Sequence, residues 1–446
     1  MYLKNLFAKF ENKKFLNKIQ LALVSVIISS FLFGFFIREN SAGAGGYNGD
    51  FQHVWKNLNT FKKNTIIDAI KITAKPDSPL DNENYFQGTR PPLIYILQSL
   101  NPLIDSQKSF FINIFFLSIL CFFFFLLVIN KIYSDQDKYT VVLIASLLLA
   151  SPYFRTSAFW ALEENYAIFA TIITSYFLIK FNKLEKAIDP KKVYLLLCVI
   201  FFSSLTVYFD QKFLIIPLIC FFEILMSKSD IKIKFFSFFL YALFSIPMLL
   251  LIKMWGNIMP ANDALRREVI KSFHPENISY ATMLIGFYLF PFIILKKNKI
   301  FKYIFNHKKN IFFLIFLIIN LIFFIIFYDL KNEINLGKGI FYKISLILFE
   351  SIYFRKIFLI LCFIFGAIIL YIFINKNYRN FFIIFYLITL SFFIWPYFQE
   401  YLDPIIILLI LLFSTKKIIL NKKDSILISL YFLIFLTFSN IYYYIQ

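Results

Sequence analysis

Between residues 109 and 130 the chain passes through 22 positions without a single charged side chain. That run fixes the solvent in which the chain must fold. A helix rises about 1.5 Å per residue, so about 20 apolar residues cross the roughly 30 Å of bilayer hydrocarbon. Apolar runs recur near 19–37, 109–133, 139–153, 157–180, 192–209, 212–226, 235–255, 279–295, 310–328, 356–375, 380–395, 402–414 and 425–444. They are continuously apolar rather than alternating, which excludes a strand barrel. The expected architecture is an all-α integral membrane protein of about 13 transmembrane helices (11–13), one polytopic domain over residues 1–446. Hydrophobic residues make up 60% of the chain and charged residues 16%, against roughly 45–50% and 25% in a soluble domain. The 63 phenylalanines, with abundant Ile, Lys and Asn, follow AT-rich codon usage and are not read as a stacking surface.

Basic residues orient the runs. Lys4, Lys9, Lys13, Lys14 and Lys18 precede the first, in a cytoplasmic N-terminal segment 1–18. Basic connectors then recur at every second position: Lys131 and Lys138; Lys180, Lys183, Lys186, Lys191 and Lys192; Lys228, Lys232 and Lys234; Lys296 to Lys309; Lys376 and Arg379; Lys416 to Lys423. The positive-inside rule puts the N-terminus in the cytoplasm and the C-terminus outside, in a multi-pass inner (plasma) membrane protein. The net charge of +20 is thereby an orientation signal with the lipid bilayer as partner, not a nucleic-acid surface. The first apolar run is longer than a signal-peptide core, so Ser41-Ala42-Gly43-Ala44 is read as following an uncleaved span. The four cysteines (Cys121, Cys198, Cys220, Cys362) all lie inside apolar runs and read as small buried residues.

Polar residues that such a fold does not need gather in the external connectors. The first, 38–108, is far longer than a connector requires, and long loops are usually functional. Four glycines precede Asp50 there, and Phe51, Val54, Trp55, Leu58 and Phe61 recur at helical spacing. The pattern predicts an amphipathic helix from Asp50 to about Ile72 on the membrane surface, with Asp50 at or near its N-cap and His53 close by. The loop ends in Arg90-Pro91-Pro92-Leu93; the prolines set an extended turn that leaves Arg90 near the headgroups, where it seeks an anion. The second external connector carries Arg155 and, further on, the adjacent carboxylates Glu163 and Glu164. Successive helix positions lie about 100° apart, so one glutamate is expected to face a cavity while the other reaches Arg155. Asp210 and Lys212 share a tight turn, either paired with each other or with Lys212 as a second cation for an anionic substrate. Arg266, Arg267 and His274 occupy the fourth connector, and Gln399, Glu400, Tyr401 and Asp403 crowd a proline-fixed corner near the end. Charged residues at mid-depth are scarce, against the expectation for an ion-coupled transporter. No Walker loop, GxSxG, HExxH or dinucleotide fingerprint is present.

This arrangement resembles the GT-C superfamily of polytopic glycosyltransferases, in the manner of lipid A aminoarabinose transferases and protein O-mannosyltransferases. The resemblance rests on the span number, an acidic residue after span one (Asp50), the Arg90-Pro91-Pro92-Leu93 motif, and an acidic site at the start of span four (Glu163, Glu164). It implies transfer of a sugar from a polyprenyl-phosphate donor to a glycan, lipid or protein hydroxyl on the external face. Asp50 would be the catalytic base, with Glu163 or Glu164 as helper or metal ligand. Arg90 and Lys212 would contact the lipid phosphate, and His53, Arg266, Arg267, His274, Gln399 and Tyr401 are candidate substrate contacts. Asp50 stands alone where many members pair Asp with Glu, and Glu-Glu replaces their second Asp. Those departures leave open whether a divalent metal takes part; no other cofactor is implied. Two alternatives stay open: a lipid-linked oligosaccharide flippase or other transporter, which needs a charged central pathway, and a polysaccharide polymerase or ligase, which places its large loop late in the chain.

Overall fold

A computed structural model describes residues 13–42, 46–73, 90–184, 190–227, 229–256, 258, 274–275, 277–294, 310–327, 339–374, 377–392, 397–414 and 421–445. Among them every regular element is helical. They group into two compact units, Met1–Arg266 with Leu420–Gln446, and Arg267–Ile419.

The first unit opens with α1 (Lys13–Ile37), whose end is closed by the Glu39 N–H donating to the Gly34 carbonyl at 2.8 Å. Two surface helices follow, α2 (Gly46–Lys63) and α3 (Ile66–Thr73), instead of the single helix expected from Asp50 to Ile72. Thr65 causes the break. Its hydroxyl accepts from the Asp68 N–H at 3.3 Å and donates to the Asp68 carboxylate at 2.6 Å, a capping arrangement that starts a new helix. Asp50 is therefore not a cap but the fifth residue of α2, exposed to solvent. The apolar stripe predicted for α2 is present: Phe51, Val54, Leu58 and Phe61 are buried, and the Phe51 ring lies 4.2 Å from that of Phe111.

Pro91 and Pro92 lead into the short α4 (Leu93–Ser99), and α5 (Gln107–Ile132) starts at a capping box between Ser106 and Ser109. α6 (Lys138–Ala145) tightens into a 3-10 turn at Ser146–Ala150, and α7 (Pro152–Phe159) leaves it at 63°. Ser151 caps α7, accepting from the Phe154 N–H at 3.2 Å, and Pro152 fills the first helical position, where no donor is needed. α8 (Glu164–Asn182) and α9 (Pro190–Phe209) run antiparallel and pack along their length, with Phe177 stacked on Phe202 at 5.6 Å and Tyr166 near Phe209 at 5.4 Å. The start of α8 and the end of α9 thus lie together. A 3-10 turn (Gln211–Leu214), α10 (Ile215–Met226) and α11 (Ile231–Trp255) complete this stretch.

The second unit holds α12 (Asn277–Ile294), α13 (Asn310–Phe327), α14 (Gly339–Leu348), α15 (Ile352–Ile374), α16 (Tyr378–Phe392), a 3-10 turn at Gln399–Tyr401, α17 (Ile405–Leu408) and a π-helical turn at Leu409–Phe413. α12 is its core and crosses α15 where Gly286 meets Gly366; a Cβ on Gly286 would stand 2.5 Å from the Gly366 Cα. Small residues let membrane helices approach this closely. The chain returns to the first unit with α18 (Lys422–Ile445).

Among the described residues seven helices are long and apolar enough to cross a membrane: α1, α5, α9, α11, α12, α15 and α18. The count is eight if the bent α6–α7 pair is one span. The chain is an all-α, multi-pass membrane protein. Other apolar runs fall on broken or shorter pieces, as where 402–414 divides between α17 and the π turn.

One ion pair is sealed in the first unit. Arg155, 1% exposed, donates from Nε to Glu39 at 2.9 Å and contacts its second oxygen through Nη2; further bonds reach the Ser30 and Leu149 carbonyls at 2.8 and 3.2 Å. Asn440 on α18 donates to the same Glu39 at 2.9 Å. The expected reach of Glu163 or Glu164 to Arg155 is thereby corrected: Arg155 belongs to Glu39.

Candidate functional site

Three carboxylates and two cations from separate connectors converge where α8 begins and α9 ends. Arg90, just ahead of the two prolines, sends Nη1 to Glu163 at 2.8 Å and Nη2 to Glu164, while its Nε stands 3.6 Å from Asp210. Lys212 lies 3.3 Å from Asp210 and 3.9 Å from Glu164. Each position follows from local structure. Asp210 ends α9 and caps the 3-10 turn by accepting from the Lys212 N–H at 3.0 Å, which sends the Lys212 side chain back over the carboxylates. Glu163 and Glu164 follow a junction in which Ala161 takes φ +52°, a left-handed backbone rare for a residue with a Cβ. That reversal separates α7 from α8, so Glu163 sits at the helix boundary and Glu164 in the first turn; both turn to one guanidinium, although positions on a continuous helix would diverge.

Neighbouring groups hold the carboxylates. Ser157 donates to Glu164 at 2.9 Å, and Tyr95 on α4 donates to Glu163. Asn57 on α2 donates to the Tyr95 oxygen at 3.2 Å. Burial, and after it the Glu163 carboxylate, push the Tyr95 phenol well above its ordinary range, so it stays a donor. One turn further along α4, Gln98 donates to Tyr166, fixing α4 against α8 at a second point. Two buried acceptors around the cluster, Asp210 Oδ2 and Gln98 Oε1, accept no hydrogen bond.

Of the residues singled out in the sequence, the structure brings together Arg90, Glu163, Glu164 and Lys212. The Arg90 side chain is 17% exposed, and its charge is met by carboxylates. Asp50, exposed, and His53, half-buried, lie in the first half of α2, ahead of the buried Asn57. Gln399 and Tyr401 belong to the second unit. There Gln399 accepts from the Ile340 N–H at 3.0 Å and donates to Tyr288 at 2.8 Å, so its amide pins the start of α14 to α12. Gly339 allows this with φ +67°; a Cβ there would stand 2.6 Å from Gln399 Oε1. The His274 N–H donates to the Phe392 carbonyl at 3.1 Å. Arg266 and Arg267 lie outside the described residues. Sequence reasoning passed over Tyr95, Asn57 and Ser157, and weighed Asp210 only as a partner for Lys212. Tyr95 carried a readable signal, three residues into the segment started by Pro92 and on one helical face with Gln98.

Among the described residues no three His, Cys, Asp or Glu side chains are placed to share a metal ion; the carboxylates are committed to Arg90 and Lys212. What the cluster can do is set carboxylates beside cations, an arrangement suited to proton transfer next to a developing anion.

No family model, curated protein or solved structure matches this chain. The reading of the site rests on its own chemistry.

Proposed function

We propose that this protein is a membrane glycosyltransferase of the GT-C kind, moving a sugar from a polyprenyl-phosphate donor to an acceptor hydroxyl on the external, periplasmic face of the inner membrane. In this reading about thirteen spans carry the chain from a cytoplasmic N-terminus to an external C-terminus. The observation that supports it is the convergence of Glu163, Glu164 and Asp210 with Arg90 and Lys212 at one end of the α8–α9 pair. Ionisable groups at the edge of a membrane domain are costly to bury and mark function. In this reading these five come from connectors on the external, periplasmic side, the side that the pattern of basic connectors favours for them.

The chemistry is a single displacement. The acceptor oxygen attacks the anomeric carbon, its proton passes to a carboxylate of the cluster, and the bond from the anomeric carbon to the phosphate oxygen breaks. Polyprenyl phosphate leaves with the bonding electrons, and Arg90 and Lys212 are the cations at hand to meet its growing charge. Glu163 is the better placed base, because Glu164 is also held by Ser157 and Lys212. The test is a transfer assay: membranes containing the protein, incubated with radiolabelled polyprenyl-phosphate sugars, should move label into an acceptor fraction. Membranes lacking the protein should not, and equal transfer in both would remove the proposal.

A further inference from the structure

Resting on that reading, the geometry of Arg90 raises a question about how the donor is received. A guanidinium meant for a phosphate is here already occupied, with one glutamate on each Nη group. We propose that Arg90 is an exchangeable counter-ion: the donor phosphate takes its two Nη groups from Glu163 and Glu164, and this exchange unveils Glu163 as the base. Donor binding and readiness for acceptor attack are then one event.

Three features carry this. First, Arg90 is the most exposed member of the cluster, its side chain 17% accessible against 6% for Glu163, 12% for Glu164, 6% for Asp210 and 9% for Lys212, so an arriving anion meets it first. Second, Arg90 has somewhere to stay. Its Nε faces Asp210 Oδ2 at 3.6 Å; that buried oxygen is ion-paired with Lys212 Nζ at 3.3 Å but accepts no hydrogen bond, so the guanidinium can close on Asp210 as its Nη groups turn to phosphate. Third, the two glutamates are left unequal. Glu164 keeps the Ser157 hydroxyl at 2.9 Å and Lys212 at 3.9 Å, whereas Glu163 keeps only Tyr95 among the contacts described above. Carboxylate and phosphate both suit the planar guanidinium fork, so the exchange trades like bonds for like and both states remain within reach.

The sign of one substitution separates this from an ordinary binding role. If the glutamates compete with phosphate for Arg90, neutralising one of them tightens phosphate binding while turnover falls. The full-length protein in lipid nanodiscs would be titrated with undecaprenyl phosphate, undecaprenol and inorganic phosphate, as wild type, Glu163→Gln and Glu164→Gln. Glutamine keeps the size of each side chain and an acceptor oxygen, and the two variants test the idea independently. Removing one charge-assisted competitor is expected to tighten undecaprenyl phosphate binding by about threefold to tenfold, with undecaprenol unchanged. The same gain for inorganic phosphate shows that the headgroup alone drives the exchange; a gain confined to the lipid assigns it to the lipid-borne phosphate. Wild-type protein that takes up no undecaprenyl phosphate sinks the transferase reading and the exchange with it. Wild-type uptake with unchanged or weaker binding in both glutamine variants sinks the exchange alone.

Discussion

Asp50 and Glu163 offer two candidates for one proton, in opposite surroundings. Asp50 is exposed on α2, whereas Glu163 is 4% exposed and bonded by Arg90 and Tyr95. Asp50→Asn is expected to leave both protein level and turnover near normal, while Glu163→Gln lowers turnover by at least about 10²-fold, the scale for losing a general base. Initial rates in matched membranes check this, and the reverse ranking would return the role to Asp50. Tyr95→Phe removes a buried donor to Glu163 and leaves Asn57 facing a ring; a loss of about 1–3 kcal/mol is expected, read as a lower unfolding temperature in detergent. Arg90→Ala is a poor probe of phosphate binding, because it strips the main cation from three carboxylates and costs about 3–5 kcal/mol, as breaking a buried pair does. At this scale the sequence was partly legible. Arg90, Glu163, Glu164 and Lys212 stood out because charge near an apolar run demands a reason. Which charge pairs with which was not legible, since Glu39 and Arg155 are separated by 116 positions and only packing brings them together.

The breaks between helices, more than the helices, position the cluster. A Thr-x-x-Asp signal at Thr65 and a Ser-Pro signal at Ser151 were both present in the sequence, and both mark true helix starts. Apolar periodicity ran across them and suggested longer elements. Ala161 carried no such signal, because nothing in its side chain announces a φ of +52°. Ala161→Gly should therefore be neutral or stabilising by up to about 1 kcal/mol, since glycine removes the left-handed strain. The same exchange inside a helix costs about that much. Gly34 makes the converse prediction. A Cβ there would lie 2.5 Å from Glu39 Oε2, 2.8 Å from Phe159 and 2.9 Å from Arg155 Nη2. Gly34→Ala is expected to destabilise by about 1–3 kcal/mol, with the unfolding temperatures of the two variants moving apart in one assay.

For the whole molecule, hydropathy was the most legible property, and it delivered an all-helical membrane protein; the number of crossings was less so, because short apolar runs serve equally as broken spans or buried pieces. Orientation is open to direct test. Cysteines placed at Asn64, in the first long connector, should react with a membrane-impermeant thiol reagent in intact cells, and cysteines at Ser134 or Asn182 should react only after lysis. The four native cysteines lie within apolar helices. The opposite labelling pattern would place the cluster in the cytoplasm. The central claim, that the carboxylates and cations at the ends of α8 and α9 transfer a sugar from a lipid phosphate, is met most directly by following the phosphate. Purified protein in nanodiscs would be given a panel of polyprenyl-phosphate sugars with a membrane extract as acceptor, and the release of free polyprenyl phosphate measured. The account predicts release with wild type and at least about a hundredfold less with Glu163→Gln; equal release from the two proteins, or none from a well-folded wild type with any donor of the panel, would contradict it.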